Sequence, residues 1–201
     1  LSRLLPAVFF AFFSMSVASL AENIPADELS KKEKAIVPIA AFTASGNIAQ
    51  LKTALNEGLA DGLTVSEIKE VLVHIYAYAG FPRSLNGINA FIAVMDERKT
   101  QGKVDEIGRE ATPLSADFVQ NAYGHKVRNT LVGRDMSHPT SGYPVFTPII
   151  DKFLVEHLFA DIFVRDVLSH QERELVTIST LAAMPGTEVQ LKGHLKIAMN
   201  T

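Results

Sequence analysis

Along most of this chain apolar residues recur every three or four positions. Over residues 30–44, Ala35, Ile36, Ile39, Ala40 and Thr43 follow that spacing, the signature of a helix that buries one face. Ser45-Gly46-Asn47 breaks it, and a second helix is predicted over 48–59, burying Leu51, Leu55 and Leu59 before the Asp61-Gly62 turn. Thr64-Val65-Ser66-Glu67 is a capping box, in which the Thr64 hydroxyl and the Glu67 carboxylate satisfy free amides at a helix start. Ile68, Val71, Leu72, Ile75 and Ala79 form the stripe of that third helix. Gly80 and Pro82 supply its stop and the start of a fourth, to about Arg98.

Residues 99–114 are polar and carry Gly102, Gly108 and Pro113, as a connector would. Ser115 is the expected cap of a helix with Phe118, Ala122, His125 and Leu131. A loop rich in Pro, Gly and Ser follows over 133–148, then a longer apolar helix over 149–164. Ser169-His170-Gln171-Glu172 is a second capping box, opening a helix to Met184, and Pro185-Gly186 separates it from a last helix that is still running at Thr201. Sustained period-two alternation is missing throughout, so the predicted fold class is all-α.

The beginning of the chain reads differently. Arg3, the apolar run from Leu4 to Val17 and the small residues ending Ser19-Leu20-Ala21 have the order of a secretory signal, which predicts a signal peptide over 1–21 and a periplasmic or secreted protein. An uncleaved membrane anchor is the alternative, since the run approaches the roughly 20 residues of a span. After cleavage no membrane association is expected. The chain does not begin with Met and stops inside a predicted helix, so it reads as a fragment.

Composition narrows the chemistry. The net charge of -3, from 19 basic and 22 acidic residues, is spread without runs, which gives nucleic acid no footprint. With no cysteine in 201 residues, disulfides, thiolate metal sites and thiol peroxidase mechanisms are excluded. A glycine-rich phosphate loop and a His-Glu-x-x-His helix are also missing. No metal and no cofactor is expected.

Two segments look alike. Glu33-Lys34-Ala35-Ile36-Val37-Pro38-Ile39 aligns with Glu172-Arg173-Glu174-Leu175-Val176-Thr177-Ile178, and Gln50-Leu51-Lys52 with Gln190-Leu191-Lys192, with one residue of slippage between. The second copy would then be truncated, the partner of 64–98 beginning after Thr201. A chance likeness between amphipathic helices is the alternative.

Gly62-Leu63-Thr64, Glu67-Ile68, Glu70-Val71-Leu72, His74, Tyr78-Ala79-Gly80-Phe81-Pro82 and Leu85-Asn86 resemble the hallmark of carboxymuconolactone decarboxylase domains. Residues 172–176 through Gln190-Leu191 and His194 resemble the front half of the same domain. The resemblance implies an alkylhydroperoxidase D-like helical bundle of two related repeats, over 30–98 and 149–201 with 99–148 joining them. It also implies interlocking helix pairs in a homo-oligomer, commonly a trimer or hexamer. Alkylhydroperoxidase D uses a Cys-x-x-Cys pair beside Glu and His, and 45–52 and 186–194 hold no sulfur nucleophile here.

Candidate chemistry falls in three places. Glu67, Glu70, His74 and Tyr78 share one stripe of the third helix, where Glu70 would hold the His74 tautomer and raise its pKa while Tyr78 orients a substrate oxygen. A solvated or subunit-facing helix side is the alternative. Arg83, at a helix start behind Pro82, is a candidate carboxylate clamp or else a surface ion pair. The resemblance places Glu174 and His194 where the peroxidase relatives keep their acid and imidazole, with Ala35 and Ala54 at the matching places of the first repeat. A packed structural histidine is the other reading of His194.

Two functions remain in view. One is a cofactor-independent lyase or isomerase acting on a small carboxylated lactone or related anion, with Arg83 binding a carboxylate, His74 or His194 protonating the carbanion left when carbon dioxide departs, and Tyr78 or Glu174 assisting. The other is a non-catalytic oligomeric scaffold that has lost the thiol site of its relatives. The enzyme requires these side chains to converge on a cavity; the scaffold leaves them exposed or engaged in contacts.

Overall fold

A computed structural model describes residues 29–201 and is all-helical over that span. The expected signal segment lies outside the described residues. Among the described residues no helix is long and apolar enough to cross a membrane.

Helix α1 (Lys31–Ser45) opens on a capping box: Glu33 donates its amide to the Ser30 hydroxyl, and Ser30 donates its own to the Glu33 carboxylate. It ends at Gly46, whose φ of 74° is the left-handed conformation that glycine adopts without a Cβ penalty. Helix α2 (Ile48–Ala60), capped by Asn47, folds back on α1. Thr64 and Glu67 form the expected capping box of α3 (Val65–Thr100). Within α3 the third and fourth predicted helices meet at the expected break, where Gly80 departs from helical geometry (φ 78°, ψ 163°) just before Pro82 and the second helix starts at once. Ile36, Ile39, Leu51, Leu55, Ile68, Val71, Leu72 and Ile75, all on the predicted stripes, are wholly buried together.

The segment after α3 returns along its N-terminus, with Val65 and Ser66 donating amides to the carbonyls of Glu106 and Ile107. Helix α4 (Gln120–Val132) starts five residues beyond Ser115, behind Val119, without a side-chain cap. The predicted 149–164 helix is partly of another kind. After the short α5 (Tyr143–Phe146) and α6 (Pro148–Phe153), the chain continues as a π-helix, Leu154–Ile162. At its end the Phe163 amide donates to the Leu158 carbonyl five residues back. Such wide turns cluster at functional sites because they shift side chains off the regular register.

Helix α4 packs on this π-helix at unusually close range, since a Cβ at Gly124 would stand 2.0 Å from the Val155 carbonyl oxygen. The pair forms a second apolar cluster of Val127, Leu131, Leu158, Phe159, Ile162 and Phe163, separate from the first. Helix α7 (His170–Ala182) carries the second expected capping box, Ser169 with Glu172, lies across α1 and α3, and turns at Gly186 (φ 80°) into α8 (Glu188–Ala198). The α1–α2 and α7–α8 hairpins share a plan: a Ser/Glu capping box, a helix, a left-handed glycine and a second helix.

Candidate active site

The face of α3 that carries Glu70 and His74 is covered by α7. Both side chains are consequently buried, at 2% and 0% exposure. Burying a carboxylate requires compensation, and the Arg173 guanidinium donates to Glu70 Oε1 at 2.7 Å while Arg165 donates to both oxygens at 2.9–3.0 Å. Arg173 also donates to the Arg165 carbonyl, tying the loop before α7 to the helix.

His74 is held in one tautomer by its neighbours. The Thr177 hydroxyl donates to the Arg173 carbonyl at 2.9 Å, so its oxygen accepts from His74 Nε2 at 2.9 Å. Nδ1 is then the bare nitrogen, and it faces Arg173 Nη1 at 3.3 Å, a group that can only donate. Burial, together with the Arg173 cation and His194 beside it, holds the ring well below its ordinary 6.5. This reverses the expected direction, because Arg173 and Arg165 take up the Glu70 carboxylate that the sequence had next to His74. The ring is a neutral, fully engaged strut between α3 and α7.

Glu67, one turn earlier, does not join it. Its carboxylate accepts the Thr64 amide at 2.6 Å and Lys32 Nζ at 3.0 and 3.1 Å. It caps a helix and ties α1 to α3. Arg83 is exposed, with its guanidinium folded over the Gly46 turn. Neither residue reaches the cavity described next.

That cavity, of about 530 Å³, lies beside the second apolar cluster, and Tyr78 and His194 line it together. His194 Nδ1 is 2.7 Å from Glu174 Oε2, and Glu174 is wholly buried. The carboxylate accepts Nδ1–H, which leaves Nε2 as the nitrogen open to proton exchange. The Tyr78 ring stands edge-on to His194 with centroids 5.4 Å apart, and it also contacts His74 at 5.4 Å. Its hydroxyl is buried with the Thr177 side chain as its polar neighbour, outside the geometry of a normal hydrogen bond. Burial pushes the phenol above its ordinary value, the Glu174 carboxylate adding to the effect, so it is a proton donor at neutral pH. An imidazole nitrogen open to proton exchange and a protonated phenol at one apolar wall can move a proton and bind the oxygen where charge develops.

Thr187 and Gln190 line the wall with His194, and neither carries sulfur. At the matching positions of the first hairpin, Ala35 and Ala54 are packed at 7% and 3% exposure. The dyad therefore belongs to the second hairpin alone. The sequence reading missed Arg128, which lines the cavity from α4 and is 4% exposed. Arg128 donates to Asp151 at 2.6 Å and to the Met136 carbonyl at 2.9 Å. Its helical position among Val127 and Leu131, on the buried face, was the available signal. Among the described residues no group of His, Asp and Glu side chains could hold a metal ion.

The model of the carboxymuconolactone decarboxylase family matches residues 6–93. The match supports a relationship to that family and takes in α1, α2 and α3 as far as Ala93, with Glu67, His74, Tyr78 and Arg83. Glu174 and His194 lie outside it. No curated protein matches the chain.

Proposed function

We propose that this chain is a carboxymuconolactone decarboxylase-like protein that acts as a cofactor-independent lyase on a carboxylated lactone or related anion, with His194 as its acid-base group. The carrying observation is the Glu174–His194 contact of 2.7 Å on the wall of a cavity that also holds Tyr78. When carbon dioxide leaves a carbon conjugated to a carbonyl, the bonding pair passes into an enolate. Tyr78 donates a hydrogen bond to the enolate oxygen, and His194 Nε2 takes up a proton from solvent and delivers it to carbon, with Glu174 holding the ring in place. Glu67, His74 and Arg83 have structural parts in this reading.

The same reading treats 30–98 and 149–201 as two copies of one unit, the shared order of caps and glycines supporting it. Export and assembly into a trimer or hexamer complete the proposal. The scaffold alternative would leave no cavity at these side chains, and the convergence of Tyr78 and His194 favours the enzyme.

The test is turnover of a panel of carboxylated lactones by the full chain, read as carbon dioxide release, with His194→Ala and His74→Gln beside the wild type. Turnover lost in His194→Ala and retained in His74→Gln is expected. Undiminished turnover in His194→Ala overturns the assignment.

A further inference from the structure

The cavity is far from uniform in what it offers a ligand. Val132, Ile150, Leu154, Leu158, Phe159 and Ile197 give it hydrocarbon walls, and Arg128 is the one permanently charged side chain that lines it. No acidic residue does. At about 530 Å³ it sits within the roughly 300–1,000 Å³ of sites that enclose whole small molecules.

Arg128 is also incompletely bonded. Asp151, the Met136 carbonyl and His125 Nδ1 take its terminal nitrogens, at 2.6, 2.9 and 3.3 Å, which fixes the guanidinium in place. Its Nε is buried without a partner. Native proteins rarely leave a buried donor unbonded, and an unbonded nitrogen on a guanidinium that lines a cavity marks where a ligand's oxygen belongs. An oxygen at Arg128 gains a charge-assisted hydrogen bond from a donor that is already positioned. A second carboxylate on the same molecule would find no second permanent cation, only hydrocarbon and neutral polar groups such as Thr187 and Gln190, and would lose its water without full compensation.

We infer that the cavity selects an apolar monocarboxylate, a ring or chain body with a single anionic group, and that Arg128 is the anchor for that group. The inference rests on the proposed lyase reading only in making such a molecule the substrate class. It narrows the small, polar carboxylated lactone to a hydrophobic acid. Arg128 is thereby a specificity-determining residue, placed on α4 while the proton-transfer pair comes from α3 and α8.

Binding separates this from turnover. Isothermal titration of the full chain would use 2-naphthoate, naphthalene and tricarballylate, the last a small polar tricarboxylate. The expected order is 2-naphthoate tightest, naphthalene about tenfold or more weaker, and tricarballylate without detectable binding. Arg128→Lys keeps a cation beside Asp151 and lacks Nε, and it should weaken 2-naphthoate about tenfold while leaving naphthalene unchanged. Should that variant fail to fold, Leu154→Trp fills the cavity from the apolar side and should abolish 2-naphthoate binding. His194→Ala should bind 2-naphthoate normally, so loss of turnover with intact binding bears on the reaction alone. Equal affinity for 2-naphthoate and naphthalene, tighter binding of tricarballylate, or 2-naphthoate affinity unchanged in both Arg128→Lys and Leu154→Trp overturns the inference.

Discussion

His194 Nδ1 lies 2.7 Å from Oε2 of Glu174, whereas the other histidine of the region, His74, directs its Nε2 to Thr177 at 2.9 Å. The two rings therefore hold opposite tautomers, His194 protonated on Nδ1 and His74 on Nε2. Two-bond proton–nitrogen NMR spectra distinguish the forms directly, and His74 on Nδ1 would contradict the bonding described. Glu174→Gln removes the anion that fixes His194, since an amide can present either end to the ring. Turnover should fall about 10- to 100-fold, the usual cost of losing an orienting partner, while the fold persists. A variant with full activity would show that the carboxylate does not orient the ring.

His74 governs acid stability instead of catalysis. Its folded-state pKa lies well below 6.5, so the unfolded chain binds the extra proton first as pH falls. The stability associated with the neutral ring is fully present above about 6.5 and is lost as pH falls below it, at no more than about 1.4 kcal/mol per pH unit. His74→Gln offers an amide N–H to Thr177 and an oxygen to Arg173 without titrating. Denaturant titrations from pH 7.5 down to 5 should show a shallower decline for the variant, and parallel curves would assign the acid loss elsewhere.

These two histidines show how far the sequence could be read. Most helices and breaks and both predicted capping boxes answer to local rules, and Thr64, Glu67, Ser169 and Glu172 sit in the predicted roles because a cap needs only its own neighbours. Partnership across helices is not local. Glu70 and His74 share a stripe of α3, yet α7 arrives over that stripe bringing Arg173 and Thr177 from about a hundred residues away, and the expected proton-transfer pair becomes a buried strut. Glu174 and His194 were legible from the family resemblance, being on one hairpin. For Arg128 only its place beside Val127 and Leu131 was legible, because its role depends on α4 meeting a π-helix that no periodicity announces.

Tyr78 should separate stability from activity. Its hydroxyl is buried with no more than a weak contact to Thr177, so Tyr78→Phe removes a poorly compensated polar group and leaves the ring contacts with His74 and His194 in place. The variant should be as stable as the wild type or more so, by up to about 1 kcal/mol. If the phenol stabilises an enolate, turnover should nevertheless fall about 100-fold, in the range for one lost oxyanion donor. Thermal denaturation beside kinetics settles the matter, and a destabilised variant with normal turnover would mean that the hydroxyl has a structural bond.

Two glycines provide the sharpest packing contrast. At Gly124 an added methyl would stand 2.0 Å from the Val155 carbonyl oxygen, which belongs to the π-helix backbone and cannot rotate aside. Gly124→Ala must therefore push α4 off the π-helix, costing about 2 kcal/mol or more by overpacking. Because α4 also carries Arg128, the displacement loosens its 2.6 Å contact with Asp151, and activity should fall together with stability. Gly193 sits inside α8 with nothing within 4 Å of the corresponding methyl, although it is next to His194. There the substitution only removes backbone freedom from the unfolded chain, so Gly193→Ala should raise stability by about 0.5–1 kcal/mol and leave turnover intact. Urea unfolding of the two variants should thus move in opposite directions, and a neutral Gly124→Ala would show that α4 and the π-helix are not in backbone contact in solution.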